Sequence, residues 1–168
     1  QPHAREHRRA RGVGGVDTNG TVTRSDDSVG SYSTSGCGKG CKSPDFVAPG
    51  SHLQGLRVPN SWLDANHPGA RLGDDYFRGT GTSQATAITA GAVALVLQKY
   101  PTLTPDRVKR FFQDNVYRLG GFSGEAQGVG EMNLNAMLGK SPASYTQKFT
   151  SSSGSGSLDQ SRGTDRMK

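Results

Sequence analysis

The sequence lacks any apolar run near the roughly 18 residues that a membrane span requires, and no signal peptide opens it. We therefore expect no membrane partner for this chain. The apolar fraction is also low, at 32%. Glycine supplies 24 of the 168 residues, however, and counting it with the apolar residues restores an ordinary globular composition. The composition thus favours one folded domain with many tight turns and close backbone approaches.

Cysteine is scarce, with Cys37 and Cys41 standing alone in the segment CGKGC. Two thiols do not make a structural zinc site, which usually takes four ligands. A small oxidised loop and a pair of reduced thiols both remain compatible with this spacing. Asp74 and Asp75 are interpreted as part of a solvated loop, so we predict no metal and no cofactor.

The formal net charge of +6 is carried by the two ends of the chain, residues 1–11 and 140–168, while the stretch between them sums to zero. We therefore divide the sequence into a basic disordered leader at 1–11, a domain at 12–139 and a flexible Ser/Gly-rich tail at 140–168. No aromatic residues interleave with the arginines of the leader. Nucleic acid is accordingly not predicted as a partner. A basic protein that binds nucleic acid or an anionic surface through its two ends is kept as a further hypothesis.

The local patterns predict alternating strands and helices. Strands are expected at about 13–17 and 45–50, with a further extended piece to 58 and a polar loop over 58–75. A helix that is apolar on every side should begin beside Ser83 and end before Pro101, and such a helix is usually buried. A second helix is predicted from the cap Thr104 with Pro105 at its first position. A glycine-rich hairpin over 117–134 and a short helix at MNLNAML complete the pattern.

Ser83 stands at the start of the predicted buried helix, behind a turn formed by Gly79 and Gly81. The N–H groups of a helix's first turn have no partner within the helix, and the helix dipole favours negative charge there. A hydroxyl at this place has part of what a nucleophile needs. A Thr-Ser pair at a helix start is nevertheless far more often a cap, so periodicity alone does not identify a catalytic serine.

Four segments in order carry a resemblance to a known family. GTSQATAITAG resembles the Gly-Thr-Ser-x-Ala signature of subtilisin-like serine peptidases, and DFVAPG resembles the strand and turn that precede it. LTPDRVKRFF and GVGEMNLNAM resemble the family's next helix and its closing Gly-x-Gly segment. The long spacing between Gly50 and Ser83 resembles some actinobacterial members. Gln84 and Ala87 depart from the commonest pattern, which has Met and Pro at these positions.

The resemblance implies an α/β fold with three layers and a mostly parallel sheet, of which this chain would be the C-terminal portion. It also implies that Ser83 is the nucleophile of a serine endopeptidase and that its backbone N–H is an oxyanion donor. Thr80 and Gly81 would contact a peptide or protein substrate through their backbone. By the same resemblance, the protein would be secreted or exposed on the cell surface.

The sequence has no match for the family's Asp-Ser/Thr-Gly motif, its His-Gly-Thr motif or its oxyanion-hole asparagine. His52 and His67 are interpreted as exposed loop residues. We therefore expect that a missing N-terminal part of the catalytic domain would complete the site, and that the isolated chain folds poorly. The alternative hypothesis is an inactive remnant or pseudopeptidase with at most a peptide- or partner-binding role.

Overall fold

The computed structural model describes residues 12–35 and 43–148. The predicted leader, the pair Cys37 and Cys41 and most of the predicted tail lie outside the described residues. Within those ranges the strands are β1 Val13–Asp17, β2 Ser28–Val29, β3 Phe46–Pro49, β4 Leu53–Leu56, β5 Arg71–Leu72, β6 Tyr76–Gly79, β7 Val116–Tyr117 and β8 Glu131–Met132. The helices are α1 Trp62–Asn66, α2 Thr82–Lys99, α3 Pro105–Gln113, α4 Gly124–Gln127 and α5 Leu134–Leu138.

The main sheet has five strands in the order β2-β1-β3-β8-β7. Its centre is parallel, because β1 pairs with β3 and β3 pairs with β8 in the same direction. The two outer strands run antiparallel, β2 against β1 and β7 against β8. The α/β class and the parallel core of the sheet are therefore as the sequence predicted.

Successive side chains of the central strands point to opposite faces of the sheet, as the strand period of two requires. On one face, Phe46 and Ala48 pack with α2, α3 and α5 in the larger core. On the other face, Val16 and Val47 form a smaller cluster with Leu119, from the connection between β7 and β8. In the described residues the long helices therefore cover one face only.

Helix α2 ends at Lys99, before Pro101, as predicted, but the prediction that it is buried on every side is wrong. Its buried residues are Ala85, Thr89, Ala92 and Val96, a single stripe at helical spacing. Beside this stripe, Ile88 and Leu95 are 42% and 51% exposed. None of the helices in residues 12–35 and 43–148 has the length and hydrophobicity of a membrane span.

Helix α3 begins as predicted. The Thr104 side chain accepts a hydrogen bond from the Arg107 N–H, and Pro105 occupies the first turn. Val108, Phe111 and Phe112 are buried on its apolar face. Val116, whose spacing in the sequence would place it on the same face, lies beyond the helix in β7, which pairs with β8 in the predicted hairpin.

The polar segment 58–75 is not the plain loop that its composition predicted. It contains α1 and β5, and the antiparallel sheet β4-β6-β5 closes it. We call the residues between Gly50 and Gly81 the insertion. Asp64 of α1 is buried within it and accepts hydrogen bonds from Arg57 Nε at 2.6 Å and Arg71 Nε at 2.7 Å. The side-chain hydrogen bond from Arg57 is the main reason that the pKa of Asp64 lies well below its usual range. Because Arg57 and Arg71 share the carboxylate of Asp64, they connect α1 to the segments on either side of it.

The first residues of the segment assigned to a flexible tail contact α3. The Arg107 guanidinium donates hydrogen bonds to the carbonyl oxygens of Pro142 and Ala143. The Gln147 N–H and side-chain amide donate to the carboxylate of Asp106. These contacts connect residues 142–147 to the domain, and the tail itself stays a prediction.

Glu131 on β8 is a buried carboxylic acid in the main sheet, only 2% exposed. Asp27 lies beside Glu131, and the Arg24 Nη1 atom is 3.7 Å from the Oε2 atom of Glu131. Burial, followed by the hydrogen bond and like charge of Asp27, raises the pKa of Glu131 from 4.5 to about 7. Near neutral pH the Glu131 carboxyl group therefore changes between its protonated and ionised forms.

We expect Glu131→Gln to remove a pH dependence of stability. Because the folded-state pKa is raised, the contribution of Glu131 is fully present below its unfolded value and is lost as pH rises through about 7. The loss should be on the order of 2 kcal/mol of unfolding free energy. Urea unfolding of the wild type and Glu131→Gln between pH 4.5 and 8 measures it, with the exposed Glu125→Gln as control. Parallel stability profiles for the wild type and Glu131→Gln would contradict the prediction.

Candidate active site

Ser83 is an exposed residue in the first turn of α2, an 18-residue helix. The cap position is Gly81, which has no side chain to accept hydrogen bonds from the first-turn N–H groups. Such groups, at the positive end of the helix dipole, are suited to stabilise an anion. The structure therefore brings the Ser83 hydroxyl and its own N–H to one open place on the surface.

The start of α2 is anchored to the end of the central sheet. The Gly81 N–H donates a 2.8 Å hydrogen bond to the carbonyl oxygen of Gly50, which follows β3. The N–H groups of Gly50 and Ser51 in turn donate to the carbonyl oxygen of Val16 on β1. Ser83 is thus placed by two adjacent parallel strands.

Gly50 allows this close approach because it has no side chain. A Cβ atom there would lie 2.9 Å from the Gly81 carbonyl oxygen, 3.2 Å from the Ala85 Cβ and 2.8 Å from the Tyr32 hydroxyl. That hydroxyl shares a 2.9 Å hydrogen bond with the Ser51 hydroxyl. Tyr32 therefore fills the space that a side chain on Gly50 would need.

The side chain of Gln84 lies against the turn that precedes Ser83. A Cβ atom on Gly81 would come within 2.7 Å of the Gln84 Oε1, and one on Gly79 within 3.0 Å of its Nε2. Both turn glycines therefore leave room for the side chain of Gln84, one of the two residues that depart from the commonest family pattern.

No general base meets Ser83 in the described part of the chain. Among residues 12–35 and 43–148, no side chain hydrogen-bonds to the Ser83 hydroxyl. The His52 Nδ1 lies 3.6 Å from the Asp17 Oδ2, an imidazole beside a carboxylate, but this pair does not contact Ser83. His67 caps the end of α1 and packs against Trp62. The described residues therefore place no proton acceptor at the Ser83 hydroxyl.

An open cavity of about 400 Å³ lies beside the turn before Ser83. The residues that line it are His52, His67, Gly69, Ala70, Arg78 and Thr80. The Thr80 hydroxyl oxygen accepts a 2.9 Å hydrogen bond from the His52 N–H, which joins the two sides of the cavity. Thr80, predicted to contact substrate, therefore lies in the cavity wall, next to Gly81. Within residues 12–35 and 43–148, no three His, Cys, Asp or Glu side chains meet as they would in a metal site.

Sequence reasoning named Ser83, Thr80 and Gly81, and its interpretation of His52 and His67 as exposed loop residues is confirmed. It missed Tyr32 and Arg78. The sequence predicted a turn at Gly50, the last residue of DFVAPG, but it did not predict the hydrogen bond between Gly50 and Gly81. Contacts of this kind join residues that are far apart in the chain, so no local pattern records them.

The chain belongs to the subtilase family, whose model matches residues 9–156. It is 40% identical over 122 residues to the serine protease AprX of Bacillus subtilis. This match covers 72% of the chain but only 28% of the relative. The chain therefore spans less than a third of that protein's length.

Solved structures show the same fold. Fervidolysin from Fervidobacterium pennivorans, a keratinolytic enzyme related to subtilisin, matches with a TM-score of 0.60 at 23% identity, over 82% of this chain and 20% of its own. MycP1 with its N-terminal propeptide removed matches with a TM-score of 0.50 at 26% identity, over 75% of this chain and 35% of its own. The described sheet and helices are thus a part of the subtilisin-like architecture.

We expect Gly50→Ala to displace the turn before Ser83 and to destabilise the chain by about 1–3 kcal/mol, because its Cβ would overpack a site that includes backbone atoms. Urea unfolding of the variant and the wild type measures the loss. Gly120→Ala is the control, since a Cβ atom at Gly120 has no neighbour within 4 Å. Equal unfolding midpoints for Gly50→Ala and Gly120→Ala would show that the close approach at Gly50 is not needed.

Proposed function

We propose that this chain supplies the nucleophile of a serine endopeptidase, with Ser83 as the catalytic residue. The observation that supports it is the exposed Ser83 at an uncapped helix start, inside the segment that resembles the family signature. In this proposal, Ser83 Oγ attacks the scissile carbonyl carbon and forms an acyl-enzyme as the amine leaves. Water then hydrolyses the acyl-enzyme and frees Ser83.

The backbone of the same turn has two further roles in the proposal. The Ser83 N–H donates to the oxyanion, where a fixed donor stabilises the developing charge. The backbone of Thr80 and Gly81 contacts the leaving-group side of the substrate. The histidine that takes the Ser83 proton, the aspartate that orients it and a second oxyanion donor come from outside the described residues.

We propose that these missing groups reside in an N-terminal part of the catalytic domain, and that this chain is the C-terminal part. The chain covers only 28% of its relative from Bacillus subtilis. The exposed side of α2, around Ile88, Gly91 and Leu95, is an apolar surface of the kind that packs against another layer in parallel α/β folds. A secreted or cell-surface location and the likeness to actinobacterial members stay predictions from the resemblance.

An inactive remnant is the second candidate. The observation that favours it is the absence, within residues 12–35 and 43–148, of any side chain bonded to the Ser83 hydroxyl. A subtilisin without its triad base turns over roughly a million-fold more slowly. The two candidates differ in whether the sequence upstream of Gln1 encodes the missing groups.

The test is covalent labelling of Ser83 with a fluorophosphonate probe, which reacts with activated serines. The DNA upstream of the Gln1 codon is translated in all three frames, and the polypeptide carrying the aspartate, His-Gly-Thr and asparagine motifs is produced with this chain. We expect labelling of the assembled protein at Ser83 and at most a trace in the chain alone. Tandem mass spectrometry identifies the labelled residue.

Ser83→Ala should abolish labelling, whereas Thr86→Ala, which removes a nearby exposed hydroxyl of the same helix, should leave it unchanged. If the three motifs are absent upstream, or if the assembled protein folds and Ser83 stays unlabelled, the inactive remnant is the correct interpretation.

Substitution of Gly91 should have opposite effects on the stability of the isolated chain and on its association with the missing part. A Cβ atom there has no neighbour within 4 Å in this structure. Gly91→Ala should therefore stabilise the chain alone by about 0.5–1 kcal/mol, because alanine is the better helix former. In our proposal the same methyl group faces the missing part and weakens its association with the chain. Urea unfolding and pull-down titration measure the two effects. The control is Gly120→Ala, which lies outside α2 and whose Cβ atom would also have no neighbour within 4 Å, and unchanged association of Gly91→Ala would contradict the assignment of this surface.

A further inference from the structure

The cavity beside Ser83 has a cationic wall. We name it the Arg78 cavity, after the arginine that lines it with His52, His67, Gly69, Ala70 and Thr80. No carboxylate is among these lining residues. An arginine offers five N–H donors in a planar arrangement, and an imidazole offers at least one, so the lining favours an acceptor with negative charge.

Arg78 forms no ion pair with a carboxylate of residues 12–35 and 43–148, unlike the other two arginines of the insertion. The neighbouring arginines of the insertion, Arg57 and Arg71, both bind Asp64. Asp17 lies instead at His52 Nδ1. The positive charge of Arg78 is therefore not neutralised by the described residues around the cavity.

The cavity is built on hydrogen-bonded backbone that leads directly to Ser83. Arg78 belongs to β6, where it pairs with Gln54 of β4, and Gly79 pairs with Leu53. The following residue, Thr80, accepts the hydrogen bond from His52, and Gly81 begins the turn into α2. His67 packs edge-on against the Trp62 ring, with 5.8 Å between the ring centroids. A group bound here would thus be placed at a fixed position relative to Ser83.

We propose that the Arg78 cavity binds a carboxylate of the peptide on the leaving-group side of Ser83. Arg78 forms the ion pair, and the imidazoles of His52 and His67 are additional donors at the rim. This inference rests on the proposed function, because that function supplies the direction in which the peptide passes Ser83. It adds a substrate class, namely peptides that are acidic beyond the scissile bond.

Two carboxylates have the same chemistry here, the side chain of Asp or Glu and the C-terminal carboxylate of a short leaving peptide. The first would make the protein selective for acidic sequences within a chain. The second would favour cleavage near a C-terminus. Peptides that carry only one of these groups distinguish the two sources.

The experiment uses this chain assembled with the polypeptide that supplies the missing groups, in the Ser83→Ala form so that the peptides are not cleaved, because we expect the isolated chain to fold poorly. Trp62, the one tryptophan of this chain, contacts His67 of the cavity wall and reports binding there. Tryptophan fluorescence is followed as blocked hexapeptides are added, and isothermal titration calorimetry provides the second measurement. One peptide series carries Glu, Gln or Lys at each of three positions with an amidated C-terminus. Another carries Gln throughout and a free C-terminal carboxylate.

We expect the best Glu peptide, or the free-carboxylate peptide, to bind roughly three- to tenfold more tightly than its neutral counterpart, the range for an exposed to partly shielded charge pair. The preference should shrink at 0.5 M salt, because the pair is open to solvent. Arg78→Gln should abolish it, and Arg78→Glu should reverse it in favour of Lys. The matched control is Arg118→Gln, which makes the same charge change at an exposed arginine outside the cavity.

Equal affinities for the Glu, Gln, Lys and free-carboxylate peptides, absence of binding by any of them, or a preference that survives Arg78→Glu would each overturn the proposal. Its failure is distinct from failure of the proposed function, because fluorophosphonate labelling of Ser83 in the assembled protein does not depend on Arg78. Conversely, Ser83 could stay unlabelled while the protein still shows a carboxylate preference that depends on Arg78. That result would support carboxylate binding in the Arg78 cavity and refute the proposed peptidase function.

Discussion

The hydrogen bond from the Gly81 N–H to the Gly50 carbonyl oxygen is the contact on which the candidate site depends. It joins the end of β3 to the start of α2, and Gly50 is itself joined to β1 through Val16. The insertion between Gly50 and Gly81 then needs no direct role in holding Ser83. It can carry its own small sheet and the Arg78 cavity, because both of its ends are fixed at the same place.

Helix α2 has a buried apolar stripe and an exposed apolar side. Its buried stripe packs on the sheet, and this part of the subtilisin-like fold forms within the chain. Its other side exposes Ile88 and Leu95 where the composition predicted burial. A helix that is apolar on both sides is suited to pack between two layers, and the described residues provide one of them.

Local chemistry made much of the fold predictable. The Thr104 cap with Pro105 indicated the start of α3, and Pro101 indicated that α2 must end before it. Segment 58–75 was not predictable, because α1 is short and its stability comes from Asp64 and the two arginines that bind it rather than from its own periodicity. The raised pKa of Glu131 was also not predictable from the sequence, because it depends on burial of the side chain beside Asp27.

The sequence by itself determined the family resemblance, the α/β class and the choice of Ser83, because these are carried by short segments with strong local signals. Only the tertiary structure decided that Gly50 and Tyr32 surround the turn before Ser83, that one side of α2 stays open and that Arg78 faces a cavity. The reason is physical: each of these features is a contact between residues distant in the chain, and a local pattern of polarity does not specify which distant residues meet.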